Sequence, residues 1–276
     1  MTAGAGRGPA PVSGTGGATE AGAAAEGAPA WRPRDCHAHT TWSDGELTPA
    51  ELVAAAAARG VLPSVADHAS CSVMVGPRSA EQLGRYLDEL ESLPVGRGAE
   101  FCWHDALWRQ LPPSLTRRFT HRVGSLHAVH LADGTLVHAF HSRVPSTLSA
   151  DAYMEAHVAA LERFAAEMPV EILAHPTLLP RPFRDRPLEE LWTEEREERA
   201  VEALYRAGIA FEVSARYRPH PRFPARAAAR GVRLSLGSDG HSRAQVANVA
   251  PSLALTRSLG VRDEELYDPF VHGRRD

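Results

Sequence analysis

The amino-acid sequence predicts an α/β fold in which parallel strands close, or nearly close, into a barrel. Strand-like and helix-like segments alternate over roughly 220 residues, which is typical of parallel strands joined by crossover helices, and about seven such units fit. No GxGxxG fingerprint occurs, so an open dinucleotide-binding sheet is disfavoured. With 276 residues and 43% hydrophobic composition, the chain can bury one large core of this kind.

The chain begins with a segment of different composition. Residues 1–30 are nearly all Ala, Gly, Pro, Ser, Thr and Glu, and such a composition cannot bury a core. We therefore expect a disordered tail over residues 1–30 and a single folded domain over residues 31–276.

The first half of the domain predicts strands and helices in turn. Residues 34–39 predict the first strand. The segment LTPAELVAAAAARG predicts a helix that begins after Thr48, with Glu51 completing a capping box. Residues 61–70 predict a second strand, and an amphipathic helix follows with Ser79 as its cap.

The second half continues this alternation and adds a hairpin. GRGAEFCW predicts a third strand, and HRVGSLHAVHL and GTLVHAFHS predict strands around a turn at residues 132–134. A long helix, the strand VEILAHP, one helix over residues 187–208, the strand IAFEVSA, a short helix and the strand VRLSLGSDGHS follow.

The charge and composition disfavour several classes of protein. The formal net charge is −4, whereas proteins that grip nucleic acid by its phosphates are usually basic. The sequence contains no lysine, which excludes P-loop, Schiff-base and lysine-nucleophile chemistry. The 3 cysteines are far apart and suggest no disulfide framework. Neither a secretory signal nor a membrane-length apolar run is present, so we expect a cytoplasmic enzyme.

Metal-type side chains stand at or near the end of nearly every predicted strand. The carboxyl ends of parallel strands meet at one face, where barrel enzymes have their active sites. Each of these residues alone is weak evidence for a metal site. Their recurrence at strand ends along one chain is much stronger evidence. The residues are His37, His39, Asp44, His68, Glu100, His127, His175, Glu212, Asp239 and His241.

This set predicts a metal centre. His37 and His39 are two residues apart on a strand, so their rings point to the same side. Carboxylates crowded into one cavity would repel one another, and divalent cations offset that repulsion. Mixed imidazole and carboxylate ligands suit Zn, Mn or Fe. The other histidines are expected elsewhere: His130, His138 and His141 exposed around the hairpin, and His104 in a loop.

The ordered motifs DCHAHTTWSDG, ADHAS, GAEF, GSLHAVH, ILAHP and GSDGHS resemble those of the PHP (polymerase and histidinol phosphatase) superfamily. The resemblance spans roughly residues 34–250 and implies a distorted (β/α)7 barrel whose trinuclear centre cleaves phosphate esters. It implies two or three divalent ions. The ligands that it implies are His37, His39, Asp44, His68, Glu100, His127, His175, Asp239 and His241.

The resemblance does not settle on one member of the superfamily. Many members have a histidine after the HxH pair, where this chain has Asp44 in the sequence SDG. The opening motif, with LTPAEL, is similar to nucleotide-cleaving members, whereas HRVGSLHAVH and FEVSARYRPHPRFP are similar to histidinol-phosphate phosphatases. L-histidinol phosphate is therefore the first candidate substrate, in histidine biosynthesis.

The expected chemistry is hydrolysis of a small phosphate ester by a metal-activated water. His37, His39 and His241 are the candidate catalytic residues. Arg216 and Arg218 follow the sixth strand and are candidates to bind the phosphate, since a guanidinium matches its geometry.

Three other functions remain open at this point. The chain could be a nucleotide or oligonucleotide phosphodiesterase, and nucleic acid is expected as a partner only in that form. It could be an amidohydrolase-type metal hydrolase, although that class usually uses a strand-end lysine. It could also be a metal-binding module that has lost activity. No membrane partner is expected, and the oligomeric state is open.

Overall fold

The computed structural model describes Met1, Gly4 and residues 31–72, 75–141 and 144–275. The tail predicted over residues 1–30 therefore lies, apart from two residues, outside the described part of the chain. The described strands are β1 (Arg34–Asp35), β2 (Leu62–Val65), β3 (His68–Ala69), β4 (Gly96–Arg97), β5 (Glu100–Cys102), β6 (Val123–Ser125), β7 (Ala128–His130), β8 (Leu136–His138), β9 (Ile172–Leu173), β10 (Ala210–Ser214) and β11 (Leu234–Gly237).

Helices connect most of these strands. Short 3-10 turns lie at Leu107–Arg109 and Asp263–Glu265. The described helices are α1 (Pro49–Ala58), α2 (Ala80–Glu91), α3 (Pro113–Thr116), α4 (Ala150–Glu167), α5 (Arg181–Arg184), α6 (Leu188–Leu191), α7 (Glu194–Ala207), α8 (Arg222–Arg230), α9 (Ala250–Ser258) and α10 (Pro269–His272).

The strands pair in parallel in two sheets, with the orders β1-β2-β4 and β11-β10-β9-β6-β5-β3. Strand β3 follows β2 after two residues, and β5 follows β4 after two residues, so the same two chain segments contribute to both sheets. The predicted α/β fold with parallel strands is confirmed.

The first and last strands are also hydrogen-bonded to each other. The backbone N–H of Cys36 donates to the carbonyl of Leu236 at 2.8 Å, and the N–H of Asp239 donates to the carbonyl of His37 at 2.8 Å. The carboxyl end of β1 therefore lies beside the carboxyl end of β11. This contact brings the HxH motif next to the SDGH motif.

The predicted hairpin is confirmed, but its first strand begins later than expected. Strands β7 and β8 pair antiparallel, with Val129 opposite Val137. The segment HRVGSLHAVHL contains two strands rather than one, because β6 pairs with β5 and β9 whereas β7, among the described strands, pairs with β8 alone. The hairpin thus projects from the carboxyl end of β6.

The helix starts follow the capping chemistry of the sequence. Thr48 and Glu51 form the predicted capping box of α1, and the Ser79 hydroxyl accepts the backbone N–H of Gln82 in the first turn of α2. The single helix predicted over residues 187–208 is wrong. Thr193 has an extended backbone and caps α7 by accepting from Arg196, which separates α6 from α7.

Large apolar side chains fill the space between the sheets and the helices. Trp192, Tyr86, Phe101, Phe164 and Phe211 are all fully buried. Burial of such side chains supplies most of the free energy that stabilises a fold of this kind. Among the described helices, none has both the length and the apolarity needed to cross a membrane.

Candidate metal centre

All nine ligands implied by the motifs lie at one end of the parallel strands. His68 and Glu100 are register partners at the starts of β3 and β5, and the HxH and SDGH segments meet through the contact of β1 with β11. His127 follows β6 and His175 follows β9, which is the neighbour of β6. The strand order therefore brings residues from six chain segments to one edge, as the sequence predicts.

Eight of the nine side chains fall into three groups whose ligand atoms lie within 4.8 Å of one another. Each group has the size and the composition of a metal site. The groups share His39 and His68 and therefore form one continuous centre. They are His37, His39 and Asp239; His39, Asp44, His68 and His241; and His68, Glu100 and His127.

Glu100 is the common neighbour of this centre. Its carboxylate lies 2.6 Å from His68 Nδ1, 3.1 Å from His127 Nε2 and 3.0 Å from His175 Nε2. The last distance brings His175, the ninth predicted ligand, into the centre. A carboxylate between three imidazoles could hold a metal ion together with them.

Burial separates the nine side chains into a floor and a rim. His37, His39 and Glu100 are fully buried, whereas the other six line a cavity of about 330 Å³. Asp44, the predicted ligand that departs from the family pattern, is 40% exposed and lies 3.4 Å from His241 Nε2. A small molecule in this cavity would therefore contact ligand side chains directly.

The side chains of the centre control one another's charge. Burial and the neighbouring His68 lower the pKa of His39 to about 3, so this imidazole is neutral at pH 7. Burial raises the pKa of Glu100, but His127, His68 and His37 outweigh it and hold this pKa well below its usual range. Both groups therefore present unprotonated ligand atoms, as metal binding requires.

Glu212 hydrogen-bonds to two of the predicted ligands without belonging to the set of nine. Its Oε1 lies 2.8 Å from His37 Nδ1, and its Oε2 accepts the backbone N–H of His175 at 2.6 Å. A carboxylate can only accept, so His37 carries a proton on Nδ1 and turns Nε2 toward His39, 3.1 Å away. Both oxygens of Glu212 are engaged in this way, which is typical of an acid that orients a metal-binding histidine.

Two predicted ligands have strained backbones. His175 has φ 30° and Asp239 has φ 49°, in the left-handed region that residues with a side chain rarely adopt. These two residues and Ala247 are the non-glycine residues with positive φ in the described segments. Such strain is concentrated at functional sites, where the surrounding structure enforces it.

Two further acids in the motifs, Asp35 and Asp67, accept hydrogen bonds from neighbouring loop residues and do not line the cavity among the described residues. The buried Asp35 carboxylate accepts from the backbone N–H and the hydroxyl of Ser238 at 2.9 and 2.6 Å. The buried Asp67 carboxylate accepts from the N–H and the hydroxyl of Thr40 at 2.7 and 2.6 Å. Sequence reasoning missed these roles. The signal was an acid one or two residues before a ligand histidine in an otherwise apolar strand.

The two candidate phosphate-binding arginines have different surroundings. Arg216 lines the cavity, and its guanidinium lies 2.7 Å from His241 Nδ1 and 3.9 Å from Asp239 Oδ2. Arg218 is not among the described residues that line this cavity; it lines a separate small cavity of about 150 Å³ beside Arg184 and Leu188. Only Arg216 is placed to contact a phosphate near the ligands.

The structure agrees only in part with the positions predicted for the histidines outside the ligand set. His130 and His141 are exposed, as expected. His138 and His104 instead line the cavity, with ring centroids 5.4 Å apart, so the expected exposure of His138 is wrong. The hairpin packs over the edge of the cavity. Such a contact joins segments that are distant in sequence, so the local sequence does not predict it.

No protein-family model matches the chain, and no curated protein shows a significant match to it.

Proposed function

We propose that the protein is a metal-dependent phosphoesterase that hydrolyses a small phosphate monoester, with L-histidinol phosphate as the first candidate substrate. One observation carries the proposal. The nine His, Asp and Glu side chains implied by the phosphoesterase motifs lie together, eight of them in three overlapping groups and the ninth, His175, beside Glu100, and six of the nine line one cavity together with Arg216.

A distorted (β/α)7 barrel is the architecture that we propose around this centre. Seven strand segments support it, if β2 with β3 and β4 with β5 are each counted as one. Neighbouring segments are paired in parallel throughout, and the hydrogen bond from Cys36 to Leu236 links the last segment to the first.

We propose that the centre takes two or three divalent ions, with Zn, Mn and Fe as the candidates. The predicted ligands contribute six imidazoles and the three carboxylates Asp44, Glu100 and Asp239. Imidazole and carboxylate together suit these ions better than Ca or Mg, which prefer oxygen ligands alone. Two divalent ions would carry more positive charge than the three carboxylates carry negative charge. The excess positive charge would favour an anionic substrate.

The side chains divide the work of the proposed reaction. Bound ions would supply a water of lowered pKa and a Lewis acid for the phosphate oxygens. Among the predicted catalytic residues, His37 and His39 are buried and would act as ligands, whereas His241 lines the cavity and can reach a substrate oxygen. Arg216 would bind the phosphate, and its contact with His241 keeps the two side chains together.

The size of the cavity favours a small substrate. At about 330 Å³ it is at the lower end of the range for ligand pockets, which runs from about 300 to 1,000 Å³. An oligonucleotide would extend well beyond it. Mononucleotides fit this limit as well as histidinol phosphate does, so the test must include both.

The first experiment measures phosphate release from L-histidinol phosphate, mononucleotides and a bisphosphate, with Mn or Zn added and with chelator as the control. Release from histidinol phosphate alone would place the protein in histidine biosynthesis, and release from nucleotides would identify the alternative substrate class. Failure to hydrolyse any of them, by protein shown to contain metal, would overturn the proposed function.

A matched pair of variants tests the role of the centre. We expect His37→Ala to reduce phosphate release by at least about a thousandfold, because it removes one of the three side chains in the group of His37, His39 and Asp239. His130→Ala, an exposed histidine on the hairpin, should retain activity. Both variants should keep the wild-type circular dichroism spectrum. A fully active His37→Ala protein would refute the assignment of the centre.

A further inference from the structure

The cavity lining includes five side chains that are neither acids nor predicted ligands. They are Val75, His104, His138, Phe140 and Tyr217, which we call the outer wall. The rest of the described lining, which we call the ionic side, consists of the six predicted ligands and Arg216. A ligand that fills the cavity would therefore meet charged groups from one set and mostly ring surfaces from the other.

Contacts with the metal centre fix the hairpin that carries Phe140. The backbone N–H of Ala139 donates to the carbonyl of His127 at 2.8 Å, and the Phe140 ring centroid is 5.1 Å from the His127 ring. Arg184 donates to the carbonyl of Ala139 at 2.9 Å. Phe140 is therefore held at a set distance from a predicted ligand.

Two aromatic rings of the outer wall share one cation behind them. The guanidinium carbon of Arg184 is 6.0 Å from the centroid of Phe140 and 5.7 Å from the centroid of Tyr217. Arg184 does not line the cavity among the described residues, so it supports the rings without charging the cavity surface. Tyr217 in turn meets His175 edge to face, with centroids 5.5 Å apart.

Phe140 leaves a large apolar surface uncovered at this position. Its side chain is 48% exposed, in a chain where most large aromatic side chains are buried. His104, which also lines the cavity, adds a neutral ring, because burial and the adjacent His138 lower the pKa of His104 to about 4. A planar ring could stack on this surface and gain both burial and aromatic contact.

We propose that the outer wall binds a planar aromatic or heteroaromatic ring in the alcohol part of the substrate. This inference rests on the proposed phosphoesterase function, since it takes the ionic side of the cavity as the place of the phosphate. The enzyme would then select ring-bearing monoesters, and Phe140 would be the main determinant of that selection.

The test compares benzyl phosphate with cyclohexylmethyl phosphate, which have similar size and similar leaving alkoxides but differ in the planarity of the ring. For wild-type protein we expect kcat/KM to be about tenfold higher for the benzyl ester. Phe140→Leu keeps an apolar side chain without a ring and should abolish this preference, whereas Phe140→Trp should retain it. His130→Ala on the same hairpin is the control.

Each outcome decides the matter. A benzyl preference that Phe140→Leu removes and Phe140→Trp retains supports the outer wall as a ring site. Equal turnover of the two esters by wild-type protein overturns the ring site and leaves the phosphoesterase in place. If neither ester is hydrolysed, equilibrium binding of the two esters to the metal-loaded protein decides the ring site, with equal affinities overturning it, and the proposed function is judged separately on histidinol phosphate, the mononucleotides and the bisphosphate.

Discussion

Glu212 shows how much a single residue outside the ligand set can govern. It accepts from His37 on one oxygen and from the backbone of the strained His175 on the other. Gly237 lies against the same carboxylate so closely that a Cβ at this position would clash with it. Glu212 is therefore confined on three sides, and its two oxygens hold two of the nine predicted ligands, His37 by its side chain and His175 by its backbone.

We expect Glu212→Gln to weaken metal binding by about 10- to 100-fold. The amide of glutamine has one oxygen and one N–H₂ group. The N–H₂ group would face either the Nδ1–H of His37 or the N–H of His175, so two donors would meet there with no acceptor between them. Metal retained after dialysis against graded chelator measures the loss. Glu81→Gln, on the exposed side of α2, should bind metal as the wild type does. Unchanged affinity in Glu212→Gln would show that His37 needs no such partner.

At the scale of the element, two glycines in helices predict opposite effects. Gly208 ends α7 with φ 66°, whereas Gly84 lies within α2, and neither has atoms within 4 Å of an added Cβ. Gly208→Ala should destabilise the protein by about 1 kcal/mol because alanine is strained in the left-handed region. Gly84→Ala should stabilise it by about 0.5 to 1 kcal/mol.

Urea unfolding of both variants, with matched m-values, checks these effects. A shift of the midpoint in the same direction for both would contradict the argument, because the two substitutions add the same methyl group and differ only in the backbone conformation that receives it.

The elements differ in how far the sequence predicts them. Helix starts at Thr48 and Ser79 followed from local capping chemistry, because a cap is a contact between residues three apart. The break at Thr193 was missed because the residues on both sides of it favour helix equally well. The hairpin was predicted from its turn, but its position over the cavity depends on contacts with His127 and Arg184, which are distant in sequence.

For the whole molecule, buried histidines outside the centre predict acid lability. Burial lowers the pKa of His121 and of His157 from 6.5 to about 4. Above pH 6.5 both are neutral in the folded and unfolded states and have no effect. Between pH 6.5 and about 4 only the unfolded chain takes up protons, so stability falls, by about 3 kcal/mol for each histidine at most.

We expect His157→Gln to reduce this pH dependence by up to half, since glutamine can keep the hydrogen bond to Tyr153 without titrating. The free energy of unfolding in urea at pH 7, 6, 5 and 4 measures it, with His130→Gln as the exposed control. Equal slopes in His157→Gln and the wild type would show that His157 is protonated in the folded protein.

The candidate site was largely predictable because its ligands follow a rule of topology. Parallel strands bring their carboxyl ends to one edge, so a polar residue at each strand end predicts a cluster without any knowledge of distances. Supporting residues such as Asp67 and Glu212 escape this rule, because a buried acid can face a ligand, a backbone or another strand. Arg218 shows the same limit, since two residues beyond Arg216 it faces a different cavity.

The sharing of His39 and His68 between groups of possible ligands has a consequence for how the proposed ions would bind. Each ring nitrogen has one lone pair, so a histidine that held one ion through that atom would be unavailable to an ion at the neighbouring position. Ions at neighbouring positions would therefore compete for these two imidazoles, and the first ion bound would change the set of ligands left for the next. Under the proposed function, the order in which ions are added to the metal-free protein would affect how many of them it retains.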